Sequence, residues 1–140
     1  MDKLHKQILA ERENIEIALD NLNFAWGRQE KSVIELAAIG TFLHNIYNGI
    51  ENILKRIVIS KNINIKTSAT WHKNLLILAS SIGIISENLS DNLHDYLTFR
   101  HYFIHAYGFM LEESYLVDLV ENIHDVWQQF LLETDSFVNV

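Results

Sequence analysis

Residues 32–59 read SVIELAAIGTFLHNIYNGIENILKRIVI, and their pattern decides the fold. Val33, Leu36, Ala37, Gly40, Leu43, Tyr47, Leu54 and Val58 recur at the spacing of one helix face. Ile34, Ala38, Phe42, Ile46 and Ile53 add apolar groups at neighbouring angles. A face this wide predicts one long helix, Ser32 to Ile59, that touches more than one helix of its own chain or a second copy of it. Gly40 and Gly49 lower the intrinsic stability of that helix but let a neighbour come close to its backbone. The chain contains no proline, so none interrupts a helix of this length.

The flanking segments repeat the pattern. Leu4, Ile8, Ile15, Ala18, Leu22 and Ala25 predict a first amphipathic helix, with Glu11 breaking the stripe, and Trp26 to Gln29 connects it to the long one. After the polar loop KNINIKTSAT (61–70), a third helix starts at Trp71 with Leu75, Leu78 and Ile82 inward and stops at Gly83 or in the Ser86 to Asn88 region. Ser90 and Asp91 are the expected caps of a fourth helix reaching Ala106, and Gly108 suits its end. Glu112 and Glu113 favour the start of a fifth, with Leu116, Leu119, Val120, Ile123, Trp127 and Phe130 on its stripe. The expectation is an all-α, up-down bundle of about five helices.

With 140 residues, 49% hydrophobic and 21% charged, the chain is one globular domain, assigned to residues 1–133 with 134–140 as a flexible tail. The absence of cysteine excludes disulfides, thiolate ligands and cysteine nucleophiles, and fits a reducing compartment. The opening MDKLHKQILAERENIEIALD lacks the apolar core of a secretory signal and no run reaches membrane-spanning length, so a cytoplasmic protein without a membrane partner is expected. A net charge of -7 excludes a broad basic surface for nucleic acid; any RNA contact must be local, and the balance suits a protein partner equally well.

The chemistry is concentrated at 96–110, YLTFRHYFIHAYGFM. Arginine is a permanently charged fork for a phosphate, and histidine moves protons near neutral pH. Because RNA carries its own nucleophile in the 2′-hydroxyl, Arg100 and His105 could cleave it without a metal. On an ideal helix, however, they lie about 140° apart. Either the helix breaks near Ile104, or a twofold dimer joins two copies of the pair in one cleft. Arg100 and Tyr107 share an approximate face. His94, His101 and His105 also share one, which makes a helical metal-binding protein a competing reading, although three histidines spread over more than two turns do not converge on one ion.

The segment FRHYFIHAYGF (99–109) resembles the motif of HEPN toxins of the HepT-like family: arginine, four residues, histidine, one residue, tyrosine. The resemblance extends through the Leu4 to Leu22 helix, the WHKNLL start of the third helix (71–76) and the acidic-to-aromatic final helix. It implies a homodimeric, or higher-order, helical endoribonuclease in which Arg100 and His105 are catalytic, with His101 supporting them. It also implies neutralisation by a minimal nucleotidyltransferase (MNT-type) antitoxin that, using ATP and magnesium, transfers AMP to Tyr107. Cleavage itself would need no cofactor or metal. The RNA, for which a tRNA end is a candidate, would meet Arg100 and, from its position, Lys73. A related alternative is a non-catalytic substrate-binding companion of a nucleotidyltransferase.

Overall fold

The computed structural model describes residues 2–65, 68–107 and 111–138. It contains the five helices: α1 (Lys3–Trp26), α2 (Val33–Ser60), α3 (Trp71–Ser81), α4 (Glu87–Tyr102), which runs on into a π-turn (Phe103–Tyr107), and α5 (Glu113–Thr134). No strand occurs among the described residues. Helix α2 is the hub, packed against each of the other four. Its Ile39, Leu43, Ile46, Ile50, Ile53, Leu54 and Ile57 are fully buried.

Each start has a local cause. Asp2 caps α1 by accepting the His5 amide at 2.8 Å. Ser32 and Glu35 form a reciprocal capping box at α2. Helix α4 begins earlier than expected, because Ser86 rather than Ser90 is its cap, accepting the Leu89 amide at 3.1 Å. Ser90 is instead buried one turn in, where its hydroxyl donates to the Leu76 carbonyl. Gly83, at φ +83°, ends α3 and leaves Ile82 partly exposed rather than inward.

The close approaches expected of the two glycines occur. A Cβ at Gly49 would collide with Ile15 of α1, and one at Gly40 would lie 2.8 Å from the Phe103 ring and 2.7 Å from Leu111. Glu11, which interrupts the α1 stripe, faces α2: it accepts from Asn52 and lies 3.9 Å from Arg56. The segment assigned to a flexible tail is packed as far as Val138, which is buried. Asp135 pairs with Arg12 at 3.6 Å, and Lys61 lies over Phe137.

The wide face of α2 divides in two. Ile46 belongs wholly to the core, whereas Phe42 is half-buried on a rim that continues through exposed Ile34 (80%), Phe24 (74%) and Ile17 (54%). Ile46→Ala is therefore expected to lower the unfolding free energy by about 2–5 kcal/mol. Phe42→Ser should cost less, since the ring packs against the core from the rim and is already partly exposed. Urea titration followed by circular dichroism separates the two.

Candidate functional site

One edge of α2 is polar. His44, Asn48 and Glu51 follow one another at intervals of four and three, so they share a face, and α3 and α4 lie against it. Arg100, in the last turn of α4, donates from Nε to Asn48 Oδ1 at 3.0 Å. Asn48 Nδ2 in turn lies 3.0 Å from His44 Nε2. Burial lowers the pKa of His44, and the Arg100 charge lowers it further against a raising effect of Glu51. A neutral His44 accepts from Asn48, which orients the amide so that its oxygen meets the guanidinium. The Nε edge of Arg100 is thereby engaged by the protein, which leaves the donors of its two terminal amino groups as the edge a ligand could meet.

Beyond Arg100 the winding changes. Regular α-helix ends at Tyr102, and Phe103–Tyr107 is a π-turn with i→i+5 hydrogen bonding. The local cause is packing: the Phe103 ring is wedged against Gly40, beside His44 (5.6 Å) and Phe99 (5.7 Å). A π-turn advances fewer degrees per residue than an α-turn, which shrinks the angular offset that separates Arg100 from His105 on a straight helix. The His105 ring lies 4.3 Å from that of His101, and both residues are exposed. The Tyr107 side chain and Gly108 lie outside the described residues.

Arg100 and His101 also line a cleft of about 390 Å³ between α3 and α4, together with Thr70, His72, Lys73 and His94. Lys73 thus shares a cleft with Arg100. Thr70, before the first turn of α3, makes no side-chain cap, so the positive end of that helix opens on the cleft. His94 is tied by Nδ1 to the Ser90 carbonyl at 2.8 Å. His72 Nδ1 lies 2.8 Å from both oxygens of Glu51, a carboxylate that is only 4% exposed. Tyr47 is buried beside the same carboxylate, and burial first, then the Glu51 charge, pushes its pKa up. The His72 ring rests on Trp71, with centroids 3.7 Å apart.

The structure therefore brings Arg100, His101 and Lys73 to one cleft and sets His105 against His101; His105 itself is not among the residues lining the cleft. His94 is engaged with the Ser90 carbonyl, and among the described residues no group of three histidines, cysteines or acids is placed to hold a metal ion. His44, Asn48, Glu51 and His72 escaped the reading of the sequence. A polar i, i+4, i+7 run beside the apolar face of the long helix was the available signal for the first three.

The comparisons with known proteins bear on residues 38–140, well over half of the chain, which match the family model described as HepT-like protein. No curated protein and no solved structure matches.

Proposed function

The chain belongs to the HepT-like family of HEPN-type proteins, and from that premise we propose that it is a metal-independent endoribonuclease toxin held in check by a nucleotidyltransferase antitoxin. Arg100 clamps the scissile phosphate through its terminal amino groups and offsets the charge that grows in the transition state. His105 transfers a proton during attack by the RNA 2′-hydroxyl, and His101, against its ring, orients it. Lys73 and the first turn of α3 add local attraction in a chain of net charge -7. The observation that carries this reading is the Arg100–Asn48 bond: an arginine held by one edge, at a cleft, ahead of a change in helix winding.

A twofold pair would place two such motifs in one cleft. The apolar rim of Ile17, Phe24, Ile34 and Phe42 offers a surface for self-association. ATP and magnesium belong to the antitoxin's reaction and not to cleavage. The candidate substrate is a localised RNA structure such as a tRNA end, which a small cationic site holds more readily than an extended duplex.

The test is cleavage of a mixed tRNA pool in the presence of a chelator. Parent protein should cut, and His105→Ala should cut about 10²- to 10³-fold more slowly with unchanged helix content. Undiminished cleavage by His105→Ala would remove the assignment. Loss of parent activity on chelation, restored by zinc or manganese, would turn the reading toward the metal-dependent alternative.

A further inference from the structure

We propose that His72, set in the cleft and positioned by the buried Glu51, is a second proton-transfer residue beside His105 and protonates the leaving 5′-oxygen of the RNA. The inference rests on the ribonuclease reading above and deepens it. Cleavage by 2′-hydroxyl attack is an in-line displacement, with the entering and leaving oxygens on opposite sides of phosphorus. One imidazole therefore cannot serve both. The O2′–P bond forms as the 2′-hydroxyl proton passes to a base. The P–O5′ bond breaks as an acid gives its proton to O5′, leaving a 2′,3′-cyclic phosphate and a 5′-hydroxyl. With one His105 as the base, the acid is a second group, either the His105 of a second copy or a further residue of the cleft.

His72 has the geometry for it. Its Nδ1 is turned onto both oxygens of Glu51 at 2.8 Å, which fixes the ring and its tautomer, so any proton exchanged with a ligand moves at Nε2. The ring sits in the second position of α3, on Trp71, and is 22% exposed where it lines the cleft shared with Arg100, His101 and Lys73. Among the described residues of that cleft it is the histidine with a carboxylate in contact, and so the one whose charged form has a counter-ion. A buried ion pair adds little net stability over apolar groups of the same volume. Packing alone therefore gives the buried Glu51 little reason to be polar, whereas an oriented acid needs it.

The decisive experiment makes the acid unnecessary. The position cleaved in the tRNA pool is mapped and rebuilt as a short RNA stem-loop, once with its natural O5′ and once with sulfur bridging at that atom. A thiolate leaves without protonation. His72→Gln should slow cleavage of the oxygen-linked RNA by about 100-fold and that of the sulfur-linked RNA by less than about threefold. Glu51→Gln should follow the same pattern with a smaller loss, as befits a positioning residue, and circular dichroism and thermal melting of both variants check the fold. Equal losses on the two substrates would overturn the acid role and leave His72 as a packing or binding residue. A parent that cleaves, with activity lost in His105→Ala and kept in His72→Gln, would overturn this inference alone. A parent that cleaves no RNA would take the proposed function with it.

Discussion

Arg100→Ala should lower kcat/KM for RNA by about 10⁴-fold, the scale on which arginines that meet a developing phosphoryl charge act. Arg100→Lys should recover only part of this, about a tenth to a hundredth of parent activity, because an ammonium supplies charge without the planar fork. The bond from Nε to Asn48 sharpens the expectation. Lysine has no second donor edge by which Asn48 could hold it, so the substituted side chain keeps its charge and loses its aim. Asn48→Ala should accordingly reduce activity without removing the charge. Folding should not confuse the result. Arg100 lies at the C-terminal end of α4, where a cation is worth only about 0.3–1 kcal/mol to the helix. Rates at subsaturating RNA, with helix content measured on the same samples, decide it. Arg100→Ala and Arg100→Lys both matching parent would show that this side chain is no phosphate clamp.

The local charge that such a clamp needs coexists with an acidic whole. Asp95, Asp118 and Asp125 line a different groove, between α4 and α5, so part of the negative charge is held on the α5 side of α4 while Lys73 and Arg100 stand on its α3 side. Helix geometry performs the separation. Asp95 and Arg100 differ by five positions, about 140° of turn. The spacing that makes Arg100 and His105 hard to align on one straight helix thus keeps the acid away from the side of α4 that carries Arg100.

How much of this the sequence discloses depends on whether periodicity or contact is the informative quantity. The helices follow from apolar spacing alone, as with α5, whose Leu116, Val120, Ile123, Trp127 and Phe130 are buried as expected, with Leu119 partly so. Helix starts depend on which of several capable side chains meets a free amide; Ser86 and Ser90 are chemically identical, and contacts separate them, Ser90 with the Leu76 carbonyl and Ser86 with Glu133 and Gln129 of α5. The split of the α2 face into core and rim was also hidden, since Ile46 and Phe42 are both apolar and differ only in what approaches them. In the site, residue chemistry singles out Arg100, His101 and His105 because they crowd one short segment. Asn48 is 52 positions from Arg100 and Glu51 is 21 from His72, and nothing in the chain at such separations marks two polar residues as partners. The π-turn was foreseeable only as one of two remedies: the straight-helix angle between Arg100 and His105 called for either a break near Ile104 or a twofold pair, and the wedge of Phe103 against Gly40 accounts for the place of the turn.

Tyr107 should be the point at which the antitoxin silences the enzyme. Incubation with the cognate nucleotidyltransferase, ATP and magnesium is expected to add one or more AMP units to this residue. The phenolic oxygen forms a bond to the α-phosphorus of ATP, pyrophosphate leaves, and the phenolic proton passes to a base. Tyr107 closes the π-turn that starts at Phe103 and stands two residues beyond His105. A nucleotide attached there brings negative charge and bulk to the end of the helix that presents Arg100 and His105, and RNA must approach the same place with negative charge of its own. Cleavage should fall at least about 100-fold, the equivalent of roughly 2.7 kcal/mol in the barrier. Tyr107→Phe should fold, keep cutting RNA and resist modification, because a phenyl ring has no acceptor oxygen. Intact-protein and peptide mass spectrometry followed by a cleavage assay on the same sample reads both steps at once. Modification at another residue, or modified Tyr107 with undiminished cleavage, would require a different means of control. A stable complex showing neither modification nor ribonuclease activity would instead make this chain a substrate-binding companion of its nucleotidyltransferase.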